Sequence, residues 1–170
     1  NHVVSVNELI KCAVKTKEQN PDLWVGINML GYTTEDSLLL SLPKIDGLWC
    51  DASVSSEGFK RNFRGVFFGG VAFKYQPQPK DLEFACSWAK MTTDVATTSG
   101  SATGKAANVD KIKLIRKYLG DHPMAIASGV SAQNVGDYKG IVDYLLVASS
   151  ITTYGEMIVK DKLIELNSKL

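Results

Sequence analysis

Apolar residues recur at positions 6, 9, 10, 13 and 14, the 3.6-residue rhythm of a helix over 3–18, and Asn20-Pro21 stops it. Residues 23–30, Leu-Trp-Val-Gly-Ile-Asn-Met-Leu, then form a mostly apolar run, the pattern of a strand buried on both faces. The alternation continues down the chain. A short helix is expected from Thr34 to Leu42, a strand over 46–51, and only a helical turn within 53–63. A strand over 65–74 carries the pair Gly69-Gly70 inside it, and Pro77 and Pro79 end that stretch. The helix over 80–91 puts Leu82, Ala85, Cys86 and Ala89 on one face. A strand over 94–98 precedes a helix striped by Val109, Ile112, Ile115 and Leu119, which Gly120 closes. Strands over 124–129 and 143–149 flank a short helix over 131–138, and a helix over 161–170 ends the pattern.

Strands alternate with helices and seldom adjoin another strand, which is the signature of repeated βαβ units and a parallel sheet. Six strands are expected. They suit a doubly wound sheet, or six of the eight strands of a (β/α)8 barrel, a fold that typically takes ~250 residues. The sequence has 170 residues and starts with a helix, so the barrel reading expects a first strand, a first helix and a second strand to be missing ahead of it. Residues 1–170 then form one α/β barrel domain holding about the last six strands.

Composition narrows the function. With 45% hydrophobic and 22% charged residues and a net charge of +1, the sequence suits a globular domain and gives no electrostatic footprint for nucleic acid. No apolar stretch approaches the ~20 residues of a membrane span, and the start lacks the basic and apolar regions of a signal peptide. Cys12, Cys50 and Cys86 form no CxxC pair, so free thiols in a reducing cytoplasm are expected. A redox role for Cys50 is disfavoured, because the neighbouring Asp51 should raise its pKa. His2 and His122 have no second ligand at metal spacing, and neither a metal nor a cofactor is expected.

Both parallel architectures bind ligands beyond the carboxyl ends of their strands. Polar residues stand there while the strand bodies are apolar: Asn28, Asp51, Lys74, the loop from Thr97 to Lys105, Ser128-Gly129 and Ser149-Ser150. Solvent exposure alone also makes strand ends polar. The loop Thr97-Thr98-Ser99-Gly100-Ser101-Ala102-Thr103-Gly104-Lys105 combines hydroxyls, glycines and a lysine, which suits a phosphate or polyhydroxyl ligand. It is not a P-loop. Three residues rather than four separate Gly100 from Gly104, and Ala106 stands where a magnesium-binding Ser or Thr belongs. The alternative is a flexible surface loop. Ser128-Gly129 and Ser149-Ser150 follow the last two strands, where barrels bind phosphate, whereas Ser131 and Asn134 also read as simple helix caps. Asp51 and Lys74 are the best chemical pair. A lysine emerging from Val71-Ala72-Phe73 is expected to be desolvated, which lowers its pKa and suits base or Schiff-base work, and the plain alternative is an ion pair with Asp51. Trp24, Trp49 and Trp88 read as core.

Three segments in this order carry a family resemblance: 25–30 (VGINML), 98–105 (TSGSATGK), and 127–130 (ASGV) with Asn134-Val135. Together they resemble the BtpA family, named for a photosystem I biogenesis protein, over about 25–151. Members look like phosphate-binding (β/α)8 barrels distantly related to phosphoribosylanthranilate isomerase and the tryptophan synthase α chain. Where the family commonly has lysine then histidine, this chain has Lys74 then Tyr75, and where the last strand usually ends Val-Gly-Thr it has Val147-Ala148-Ser149. It also lacks the asparagine usual in the fourth-strand region. The resemblance implies a divergent branch, without transfer of photosystem assembly. The expected activity is that of an enzyme on a phosphorylated sugar or nucleotide-like metabolite, with Lys74 and Asp51 catalytic. Asn28, Thr98, Ser99, Gly100, Thr103, Gly104, Lys105, Ser128, Gly129, Ser149 and Ser150 are expected to hold the ligand. The alternative is a non-catalytic binding or assembly factor. The expected partner is a phosphorylated small molecule, with no nucleic acid and no membrane span; a homo-oligomer stays open.

Overall fold

The computed structural model describes residues 5–29, 45–50, 64–153 and 157–170. The helix expected over 34–42, the turn expected within 53–63 and the strand-end Asp51 lie outside the described residues.

Helix boundaries follow local capping. Helix α1, Val6–Gln19, starts later than the apolar rhythm suggests because Ser5 caps it: the Glu8 amide donates to Ser5 Oγ at 3.3 Å and the Ser5 amide to Glu8 Oε2 at 3.0 Å. Asp81 caps α2, Leu82–Thr92, through the Phe84 amide. Asn108 caps α3, Val109–Leu119, and Gly120, at a φ of 62°, ends it. The last helix, α4, runs Lys160–Asn167. The helix expected over 131–138 is only a 3-10 turn, Val135–Tyr138, because Asn134 spends its side chain on the preceding loop, accepting from the Ser131 amide and donating to Gly129 O, both at 2.8 Å. No helix among the described residues is long and apolar enough to cross a membrane.

Among the described residues, six parallel strands pair strictly in chain order: β1 Gly26–Asn28, β2 Gly47–Cys50, β3 Val66–Gly70, β4 Val95–Ser99, β5 Met124–Ala127 and β6 Tyr144–Leu146. Every connection moves to the next strand, which removes the doubly wound order with its mid-sheet reversal. The sheet is strongly curved. Phe68 on β3 and Tyr144 on β6 meet edge to face with ring centroids 5.7 Å apart. Three strand spacings in a flat sheet would separate them by ~14 Å.

Alternation divides the side chains cleanly. Trp49, Phe68, Val95 and Ala125 pack on the concave face together with Phe73, while Ala96, Met124 and Ile126 pack on the convex face with Cys86, Ala89, Ile112, Ile115 and Leu119 of the helices. At β1 the expectation of a strand buried on both faces is corrected: Ile27 is buried, but Gly26 and Asn28 are exposed, as are Leu23 and Trp24. The Trp24 ring lies where a Cβ on Gly47 would stand, 2.1 Å away, so the register pair Gly26 and Gly47 must be small.

An aspartate stands immediately before every second strand. Asp46, Asp94 and Asp143 each accept a backbone N–H from the neighbouring strand through Oδ2, from Val25, Phe67 and Met124 in turn, each at 2.8 Å. Each also returns its own amide to the carbonyl of that same residue. Lys17 pairs with Asp46 at 2.9 Å, and Arg116 with Asp143 at 2.6 Å. These clamps hold the amino ends of the strands, the end that serves stability and leaves the carboxyl ends for binding.

Candidate functional site

Strand β3 stops at Gly70, so its glycine pair is at its end rather than inside it. The Val71 amide still donates to Thr97 O at 2.8 Å, and the chain then turns through Ala72, at a φ of 47°, and Tyr75, at 62°. This turn sends Phe73 into the concave core, 2% exposed, and Lys74 up to the rim. The apolar run therefore does not wall in the lysine. The Lys74 amide donates to Ser99 Oγ at 2.8 Å, and its ammonium donates to Thr103 Oγ1 at 3.0 Å and Ser128 Oγ at 3.1 Å. Phe73 and Tyr75 place their ring centroids 5.8 Å from the same nitrogen. Lys74 thus joins the carboxyl ends of β3, β4 and β5, and two of its three ammonium hydrogens are used among the described residues.

The loop after β4 closes over the same point. The Gly104 amide donates to Ser128 Oγ at 3.2 Å, and the Thr103 amide to the Tyr75 hydroxyl at 3.3 Å. Two glycines let the loop do this. A Cβ on Gly100 would stand 2.0 Å from Lys105 O, and one on Gly129, at a φ of 74°, would stand 2.1 Å from the same oxygen. The Lys105 carbonyl is wedged between the two loops, while the Lys105 residue itself is exposed. Both glycines thus have a packing reason to be glycine, independent of any phosphate.

These three rim loops stand at the carboxyl ends of a curved, parallel, sequentially paired sheet. Solved structures share that arrangement over nearly the whole chain. Phosphoribosyl anthranilate isomerase from Thermus thermophilus matches with a TM-score of 0.69 and 14% identity, covering 94% of this chain and 78% of the other. A native KDPGal structure matches with a TM-score of 0.70 and 10% identity, covering 97% and 76%. The chain is a partial (β/α)8 barrel. No protein-family model matches it, and no curated protein sequence does. At these identities the likeness carries the fold, and the BtpA resemblance rests on the motifs in the sequence.

Within the barrel the expected ligand residues separate into groups. Lys74, Ser99, Thr103, Gly104 and Ser128 come together. Thr98 does not: it lies on the convex side of β4 with Ala96, 1% exposed beneath the helices. Asn28 is exposed at the end of β1. Ser149 is exposed, and Ser150 donates to Val130 O at 2.6 Å. Ser150 also lines a separate cleft of about 210 Å³ with Ser131, Gln133, Lys162 and Glu165, which excludes Lys74. Among the described residues no group of three His, Cys, Asp or Glu side chains could hold a metal.

Three residues have roles that sequence reading did not give: Tyr75 and Thr97 were placed only as strand-end residues, and Lys111 was not singled out. Tyr75 accepts from Thr103, whose hydroxyl and amide lower the phenol's pKa, and the nearby Lys74 charge adds to this. Lys111 donates to Ala72 O at 2.6 Å and Ser99 O at 3.1 Å, anchoring the Lys74 turn from helix α3; burial lowers its pKa. A lysine four residues before the buried Ile115, beside the apolar stripe, was the available signal. Thr97, on the concave side of β4, is fully buried, and its hydroxyl has no hydrogen-bond partner among the described residues. Strain also concentrates here: Ala72, Tyr75 and Ser128, at φ 47°, 62° and 73°, are the left-handed non-glycine residues among those described. Such conformations cost of order 1–3 kcal/mol each and cluster at functional sites.

Proposed function

We propose that the chain is a BtpA-like, phosphate-binding barrel protein, an enzyme acting on a phosphorylated sugar or nucleotide-like metabolite at the carboxyl ends of its strands. The observation that carries this reading is the Lys74 ammonium, held by Thr103 and Ser128 with one hydrogen not used among the described residues. Lys74 is the reacting or charge-stabilising group and Asp51 its acid–base partner. Thr103, Gly104, Lys105, Ser128 and Gly129 hold the phosphate. Asn28, Ser149 and Ser150 stand further around the rim. One similar barrel is named for a phosphoribosyl compound, which supports the ligand class. Among the described residues no disulfide joins Cys12, Cys50 or Cys86, which supports a reducing, cytoplasmic setting.

Pyridoxal 5′-phosphate tests this, because it joins a phosphate to an aldehyde. A neutral lysine amine adds to the aldehyde and water leaves, giving an imine; borohydride then delivers hydride to the imine carbon and fixes a secondary amine. Peptide mapping is expected to find the label on Lys74 ahead of the other lysines, with inorganic phosphate protecting it. Label spread over surface lysines and indifferent to phosphate overturns the reading.

The second reading is a binding or assembly factor without catalysis, which keeps the hydroxyl and glycine cradle around Lys74 and has no acid–base step. On that reading Lys74→Ala and Asp51→Asn leave cellular function intact. A folded Lys74→Ala protein that still binds ligand but has lost its cellular function excludes it.

A further inference from the structure

The barrel interior below Lys74 carries a feature that a phosphate cradle at the rim does not use. Thr97 is 0% exposed, and its hydroxyl has no partner among the described residues. Its direction follows from alternation along β4. Val95 packs in the concave cluster and Ser99 turns its hydroxyl to the Lys74 amide, so Thr97 between them faces the interior as well. The register sets Thr97 beside Gly70 on β3 and Ala125 on β5. Aromatic Phe68 lies one row below and Ser99 one row above. The two register neighbours of Thr97 are therefore small residues, which leaves room beside its hydroxyl.

We infer that Thr97 is the interior subsite for the non-phosphate end of the ligand, hydrogen-bonding a hydroxyl or carbonyl of a polyhydroxylated phosphate ester. The inference rests on the rim reading of Lys74 and deepens it by naming which part of the ligand goes where. Two residues along a strand span about 6.6 Å, more than the width of one phosphate. A group reaching Thr97 from a phosphate held near Ser128 thus belongs to the sugar, not to the phosphate. The hydroxyl is sealed from solvent, so the ligand must displace a covering side chain. Phe73 is the member of the concave cluster carried by a turn rather than a strand, between left-handed Ala72 and Tyr75, and is the side chain suited to move. Thr98 provides an internal control. Its hydroxyl is equally buried and has no partner among the described residues, but it faces the helices.

The test compares Thr97→Val, Thr97→Ser and Thr98→Val by calorimetry, with ribose 5-phosphate and inorganic phosphate as probes and the Tm of each variant measured alongside. Thr97→Val removes a hydroxyl without a partner and keeps the shape, so its Tm is expected to equal or exceed the parent's. It should bind inorganic phosphate as the parent does and ribose 5-phosphate roughly fivefold more weakly or worse. Thr97→Ser should restore the affinity, and Thr98→Val should change neither probe. The inference is overturned if Thr97→Val binds ribose 5-phosphate as tightly as the parent. It is also overturned if Thr97→Val lowers the Tm and weakens both probes together, which marks a structural hydroxyl. If the parent protein binds neither probe, the rim reading falls with it; if it binds both and Thr97→Val changes nothing, only the interior subsite falls.

Discussion

Gly104 and Gly129 look alike in the sequence, each following a hydroxyl residue and each with a left-handed backbone, φ 75° and 74°. Their surroundings differ. A Cβ on Gly104 meets nothing within 4 Å, whereas one on Gly129 meets Lys105 O at 2.1 Å and its carbonyl carbon at 2.3 Å. Gly104→Ala is therefore expected to cost only the left-handed penalty, about 1–2 kcal/mol. Gly129→Ala adds a clash with backbone that cannot step aside and is expected to cost at least about 3 kcal/mol, measured by urea unfolding of both variants. Equal losses would mean that the wedged carbonyl is not a constraint. The candidate residues Lys74, Ser128 and Thr103 were legible because small, hydroxylated and basic residues stand at strand ends. The reason for each glycine was not, because Gly129 answers to a carbonyl 24 positions earlier in the chain. Thr98 shows the same limit in reverse: a one-residue step along β4 puts its hydroxyl under the helices, and no composition rule separates it from Thr97.

Helices were the better-predicted elements, since caps such as Asn108 and Gly120 are local. Strand lengths depend on neighbours. The apolar runs 23–30 and 143–149 give three-residue strands because β1 and β6 are the outer strands among those described, each paired on one side. The aspartates at the amino ends are the element-level feature with a measurable consequence. The Val25 amide and Lys17 hold Asp46 below the ordinary carboxyl range. Burial alone would raise Asp143, but the Met124 amide and Arg116 together outweigh it and leave it lowered. For a carboxyl depressed on folding, the unfolded chain takes up protons first. The stabilisation is then present above an ordinary value of about 3.9 and is lost as pH falls through the folded value. The Tm is expected to hold above about pH 4 and to fall as pH drops below that through the depressed folded values. Asp143→Asn should lower stability by about 1 kcal/mol at neutral pH, where the partly exposed pair with Arg116 is lost, and flatten the acid fall. An unchanged acid slope in that variant would remove Asp143 from the explanation.

At the scale of the molecule, one aromatic residue reports the curvature. Phe68 touches Tyr144 from β6 and also Trp24, ahead of β1, at 6.2 Å between ring centroids. That closeness gathers the carboxyl ends of β3, β4 and β5 at Lys74, with the buried Thr97 below. The parallel α/β class was legible from alternating strands and helices and from polar strand ends. The barrel, rather than a doubly wound sheet, was implied by the family resemblance, because periodicity alone does not say which strands pair. Function at the rim reduces to whether the Lys74 ammonium holds a phosphorylated ligand. Isothermal titration of ribose 5-phosphate into the parent protein and into Lys74→Met, with the Tm recorded for each, addresses this directly. The rim reading predicts saturable binding by the parent, a loss of about tenfold or more in Lys74→Met, and little change in Tm. Equal binding by the two folded proteins, or none by the parent, would contradict it.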